Sequence, residues 1–95
     1  MDELINDLNK SEQLSFPVTF ELKIIMDATI PEKVNLQNID DLLNDMKISM
    51  KRLRQRLSNK GRYMSYTYKV TIVDHATLRD LYKKLKVLPG IKTAI

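Results

Sequence analysis

The chain has 95 residues, no cysteine, a single histidine and a formal net charge of +4. That length makes one domain, which buries about 65% of its unfolded surface, enough for one modest core. Without cysteine, disulfides and thiolate metal sites are excluded, and the lone His75 cannot anchor a metal cluster.

The apolar fraction of 43% and charged fraction of 29% are ordinary for a globular protein. No apolar run approaches the roughly 18 residues a membrane helix needs, so no membrane association is expected. The opening MDELINDLNK is acidic and lacks a cationic start followed by an apolar stretch. No secretion signal is therefore read there, and a cytoplasmic location is expected.

The net charge hides an asymmetry. Residues 1–45 carry ten acids and three bases, a balance of −7, whereas residues 46–95 carry thirteen bases and two acids, a balance of +11. Between Lys47 and Arg62 there are seven bases and no acid. Such a block attracts phosphates or an acidic partner, or it serves as a solvated face that neutralises the molecule's own acidic half.

The first ten residues read as a short helix, with Leu4, Ile5 and Leu8 forming a narrow apolar stripe. KSEQLSFP ends it, because Pro17 disfavours helix at Phe16 and starts an extended run. Residues 1–15 are accordingly an N-terminal extension and 16–95 the domain. VTFELKIIM alternates: Phe20, Leu22, Ile24 and Met26 share one face, Glu21 and Lys23 the other. DATIPEK follows as a loop. Residues 35–46 read as a helix, with Asn35 as N-cap and Ile39, Leu42, Leu43 and Met46 at helical spacing. Asp40, Asp41 and Asp45 lie off that stripe.

KISMKRLRQRLS, residues 47–58, has two readings. Ile39, Leu42, Met46, Met50, Leu53 and Leu57 fit a heptad seam, which would continue the helix to about residue 57, and local propensity favours this. As a strand, the stretch puts Leu53 and Leu57 on one side and Arg52, Arg54 and Arg56 on the other.

Asn59-Lys60-Gly61 is a turn signal, and Tyr63 to Val73 is a strand rich in β-branched and aromatic residues. Asp74 caps a second helix in which Leu78, Leu81, Tyr82 and Leu85 form an amphipathic stripe. Lys83, Lys84 and Lys86 crowd its last turn, where the helix dipole favours cations. Leu88-Pro89-Gly90 is a turn. IKTAI closes as a short strand, with Ile91, Thr93 and Ile95 on one side.

With residues 50–58 as a strand, the order is βαββαβ, the ferredoxin-like split motif. The predicted class is α+β: a four-stranded antiparallel sheet with two helices on one face, preceded by the short N-terminal helix. This choice also turns SNKG into a hairpin connection, and topology here outweighs propensity.

Three stretches carry a family resemblance: SFPVTFELKIIM at 15–26, SNKGRYMSYTYKVTIV at 58–73, and HATLRDLYKKL ending near LPGIKTAI. The Phe16-Pro17 start, and Ser58, Lys60, Gly61, Tyr63 and Ser65 in an S-x-K-G-x-Y-x-S hairpin, resemble the bacterial YbeD-like family over residues 15–95. The resemblance implies a ferredoxin-like plait similar in shape to ACT-type regulatory domains. It implies a strand at 50–58. It transfers no activity or catalytic residue.

Catalytic readings fare poorly. A Ser-His-Asp arrangement needs a histidine held by a carboxylate beside a nucleophile, whereas Asp74 and His75 are adjacent at a helix start. There Asp74 reads as a cap and His75 as an exposed first-turn residue. Asp40, Asp41 and Asp45 lack the glycine-bearing loop of a calcium site. Two distant glycines make no phosphate cradle. No enzyme, cofactor or metal is expected.

RNA binding is the sharper alternative, because RNA-recognition sheets use the same element order and stack bases on sheet aromatics. Strand parity decides. Met64, Tyr66, Tyr68, Val70 and Ile72 share the apolar face, so Tyr66 and Tyr68 are predicted in the core, and only Tyr63 faces solvent. The candidate basic face comprises Arg52, Arg54, Arg56, Lys60, Arg62, Tyr63 and Lys69, with Lys23 and Lys92 nearby. The expected function is a small non-enzymatic regulatory or protein-interaction domain. The alternative is RNA or polyanion binding through the basic sheet face. An unidentified protein is the expected partner, nucleic acid the second candidate, and the expected state is a monomer or weak homodimer.

Overall fold

The computed structural model describes residues 15–95. The helix expected in the first ten residues lies outside them. The element order is β1 (Val18–Asp27), α1 (Glu32–Asp45), β2 (Ser49–Leu57), β3 (Tyr63–Ile72), α2 (His75–Lys86) and β4 (Ile91–Ala94). The four strands form one antiparallel sheet in the order β2-β3-β1-β4. This is the ferredoxin-like βαββαβ plait, an α+β fold.

Alternation in β1 works as its sequence requires. Leu22, Ile24 and Met26 are fully buried, while Glu21 and Lys23 between them are exposed. The β3 partners of these apolar residues are Tyr68, Tyr66 and Met64. Opposed residues on paired strands share a face, so one side of the sheet becomes continuously apolar. Against it pack Ile39 and Leu43 of α1 and Leu78, Leu81, Tyr82 and Leu85 of α2, in one buried cluster. Both helices therefore lie on the same side.

Helix α1 begins earlier than the capping signal at Asn35 suggests. Its N-cap is Pro31, whose carbonyl accepts the backbone N–H groups of Val34 and Asn35. Glu32 places a carboxylate in the first turn, where the dipole favours it. Asn35 is instead fully buried one turn inside, and its Nδ2 donates to the Asp27 carbonyl at 3.1 Å. The asparagine thus ties the helix to the end of β1 rather than starting it.

The helix stops at Met46, which excludes the heptad continuation. Lys47 takes a left-handed φ of 57°. Ile48 N–H then reaches back to the Leu43 carbonyl at 2.9 Å, and Lys47 N–H to that of Asn44 at 2.9 Å. This left-handed C-terminal cap satisfies two orphan carbonyls and turns the chain into β2. A side chain pays a steric cost there that glycine does not. Lys47→Gly is expected to raise stability by about 0.5–1 kcal/mol, read from the urea midpoint.

At the β2–β3 hairpin, Gly61 has φ +72° and its N–H donates to the Ser58 carbonyl at 2.9 Å. Asp74 caps α2 as predicted: its carboxylate accepts the Thr77 N–H at 2.7 Å. Hydrogen bonding from the Thr77 hydroxyl, and then from its N–H, holds the Asp74 carboxyl below its ordinary value of 3.8.

In β4 the predicted side assignment needs correction. The register shifts between Ile25 and Met26, so Ile91 opposes Met26 on the helix side while Thr93 opposes Ile25 on the other. Ile95 exchanges backbone hydrogen bonds with Lys23. Ile91, Thr93 and Ile95 therefore do not share a face.

Candidate functional site

The sheet face away from the helices carries no other described element. Its make-up follows from register, row by row. Lys51 of β2 opposes Lys69 of β3, which opposes Glu21 of β1. The next row holds Arg54, Thr67 and Lys23, and the next Arg56, Ser65, Ile25 and Thr93. At the hairpin end, Tyr63 opposes Asp27, and its carbonyl accepts the Ser58 N–H at 2.8 Å. Thr67 is buried in the strand between Arg54 and Lys23, its partners on either side.

The arginine triplet does not stay together. The register of β2 shifts between Arg52 and Arg54, leaving Leu53 as an extra residue. A bulge of this kind reverses the side-chain parity beyond it. Arg52 opposes Tyr68 and so lies on the helix side, while Arg54 and Arg56 emerge on the open face. The predicted basic face thus loses Arg52 and gains Lys51, which parity alone had put opposite.

Arg52 joins a different group. Tyr68 is fully buried, and its hydroxyl donates to Asp40 Oδ1 at 2.7 Å. Burial raises the Tyr68 phenol well above its ordinary range, the Asp40 hydrogen bond and charge add to this, and Arg52 opposes them. The hydroxyl therefore stays protonated and keeps donating. Asp40 is a structural acceptor between α1 and β3. Among the described residues, no three His, Asp or Glu side chains stand together as metal ligands.

The two acids of the open face are already engaged. Glu21 Oε1 accepts from Arg54 Nη2 at 2.6 Å. Asp27 Oδ1 accepts both the N–H and the hydroxyl of Thr29, at 2.8 and 2.7 Å. Lys92 Nζ stands 5.8 Å from the centre of the Tyr63 ring, a cation–π contact. Excess positive charge remains on Lys23, Lys51, Arg56 and Lys69.

The Lys51–Lys69 pair has a stability signature. Like charges directly opposed across strands are destabilising, and both lysines are exposed. Lys51→Glu is expected to raise stability by about 0.5 kcal/mol at low salt, with the gain shrinking as salt is added. Paired urea melts at two ionic strengths check this.

A cleft of about 330 Å³ opens at the hairpin end of the face, lined by Lys23, Ile25, Arg56, Leu57, Ser58, Asn59, Tyr63 and Ser65. Lys60 and Arg62 sit on the adjoining turn, exposed. Of the predicted residues, Arg56 and Tyr63 line the cleft, Arg54 and Lys69 lie farther along the face, and Lys60 and Arg62 border it. Ile25, Ser65, Ser58 and Asn59 were not predicted. Ser58, Asn59 and Ser65 stood in the sequence only as turn and hairpin-motif positions, and Ile25 as an apolar residue on the Glu21–Lys23 side of β1.

The nucleic-acid features are incomplete. Tyr66 and Tyr68 are 1% and 0% exposed, so neither can stack on a base. The His75 ring packs edge-on against Phe16 at 6.2 Å, and Arg79 lies 2.9 Å from its Nδ1.

Comparison with known proteins agrees with this architecture. Residues 11–95 match the family model described as "Protein of unknown function (DUF493)". No curated protein matches the chain. Among solved structures, protein HP0495 from H. pylori is similar at a TM-score of 0.64 and 11% identity, with 86% of this chain and 85% of that one covered. The C-terminal domain of the MgtC protein from Mycobacterium tuberculosis is similar at a TM-score of 0.64 and 17% identity, with 83% and 84% covered. At these identities the likeness is one of fold. Among the described residues, no helix is long and apolar enough to cross a membrane.

Proposed function

The chain belongs to the DUF493 family, the YbeD-like family its motifs resemble, and from that premise we propose that it is a non-enzymatic interaction domain. Its open sheet face docks an acidic surface of a partner protein, in a regulatory or scaffolding role like that of ACT-type plaits. The carrying observation is the charge of the sheet face that no described helix covers. It gathers Lys23, Lys51, Arg54, Arg56 and Lys69 from three strands, while its acids, Glu21 and Asp27, are held by Arg54 and Thr29. Positive potential that the described acids offset only at Arg54 steers and selects acidic partners. One structural neighbour is the C-terminal domain of its protein, a use that suits an interaction module.

A single-stranded nucleic acid would use the same charges and would add affinity by stacking its bases on exposed aromatic rings. The only tyrosine reaching this face already has Lys92 against its ring.

Capture of native partners after nuclease treatment tests the reading, with Arg56→Glu/Lys69→Glu as the control. The wild type is expected to retain protein partners that the charge-reversed variant loses. Nucleic acid as the only retained ligand, lost on nuclease treatment, would overturn it.

A further inference from the structure

We propose that the cleft at the hairpin end is the specificity pocket of this face, taking one Asp or Glu carboxylate of an extended partner segment between Lys23 and Arg56. The inference rests on the docking role argued above and names the chemistry that role would recognise.

Lys23 and Arg56 both line the cleft, yet they start from strands separated by β3. They lie one row apart on the face, so their backbones are about 12 Å apart, two strand spacings across and two residues along. Neither makes an ion pair with a described acid; the one salt bridge among the described residues is Arg54 with Glu21. Two long cations projecting from either side of Ser65 and Thr67 frame a gap, and an anion seated there is reached by both. A guanidinium also presents paired donors that match a carboxylate. Ser65, in the same row as Arg56 and Ile25, donates its hydroxyl to the Arg56 carbonyl at 3.3 Å and so ties the floor of the cleft to the strand that carries Arg56.

The rest of the lining selects what accompanies the carboxylate. Ile25 and Tyr63 are half-buried and apolar, and Leu57 on the rim is 51% exposed. An extended peptide shows residues i and i+2 on one side. An apolar residue two positions from the acid therefore lands on Ile25 while the carboxylate lies between the cations. This pairing of apolar floor and flanking cations fits an acidic, partly apolar peptide better than a nucleic-acid backbone, which would leave Ile25 without apolar contact.

Fluorescence anisotropy with the full chain tests the assignment. The probe is a labelled peptide in which leucine precedes glutamate by two residues, repeated three times. Its comparisons are the same peptide with glutamine for glutamate and a labelled single-stranded oligothymidylate. Lys23→Gln and Arg56→Gln are each expected to weaken the glutamate peptide about tenfold, the cost of one charge-assisted contact. Lys51→Gln, on the same face outside the cleft, is expected to weaken it less than about threefold. The glutamine peptide should bind wild type no better than the cleft variants bind the glutamate peptide. Equal losses from Lys51→Gln and Arg56→Gln would overturn the cleft assignment while leaving the docking face intact. Oligothymidylate binding more tightly than the glutamate peptide, or no peptide binding at all, would overturn both. Thermal melts of each variant confirm that losses come from folded protein.

Discussion

Tyr66→Ala is expected to lower the free energy of unfolding by about 3–5 kcal/mol, read from urea denaturation. Tyr66 is 1% exposed, opposes Ile24 on β1, and belongs to the buried cluster that both helices cover. Truncation removes most of an aromatic side chain from a close-packed core and leaves a cavity that relaxes only in part. A domain of this size has little stability to spare, so the variant is expected to be largely unfolded at physiological temperature. The result also bears on function. A tyrosine used as a base-stacking platform would be exposed, and its loss would cost affinity with little change in stability. A change of less than about 1 kcal/mol would contradict the core assignment.

Gly90→Ala is expected to cost about 1–3 kcal/mol, in the range for a side chain forced into the left-handed region. Gly90 has φ +82°, and a Cβ there would lie 2.4 Å from Cδ1 of Ile30, which must then move. The Gly90 carbonyl also accepts the Asp27 N–H at 2.8 Å, joining the start of β4 to the end of β1. Next to it, Asn35 holds the Asp27 carbonyl from α1. Strain at Gly90 is thus transmitted to the edge of the cleft, since Lys92 follows two residues later and lies against the Tyr63 ring. Urea melts measure the stability loss, and the Tyr63 ring resonances in NMR spectra should move with it. An unchanged midpoint would contradict the conformational role given to Gly90.

The sheet was legible where period and chemistry agree. β1 and β3 alternate over their whole length, and α2 combines an apolar stripe with a capping aspartate, so each is fixed by its own residues. β2 was legible only through topology. Its leucines, arginines and lysines form helices well, and what stops α1 is the left-handed turn at Lys47, where no glycine or proline marks the place. The basic face was read by strict alternation, and one bulge residue defeats that. Leu53 carries no signal of its own as an insertion, yet it sends Arg52 to the helix side and brings Lys51 into line with Arg54. Asn35 looked like a cap because the preceding residues resembled a loop. Pro31 and Glu32 instead start the helix, and the amide serves a long-range contact. The cleft is the least legible feature. Its lining comes from three strand segments and a turn, and no local pattern brings Ile25, Ser65 and Asn59 together.

The central claim is that the open sheet face, at its hairpin end, is where a partner docks. The most direct measurement is an NMR titration of the labelled protein with the leucine–glutamate peptide, following every backbone amide. The predicted result is a set of shifts concentrated at Lys23, Ile25, Arg56, Tyr63 and Ser65, with α1 and α2 unaffected. Shifts confined to the exposed surfaces of the helices, or no shifts at saturating peptide, would contradict it.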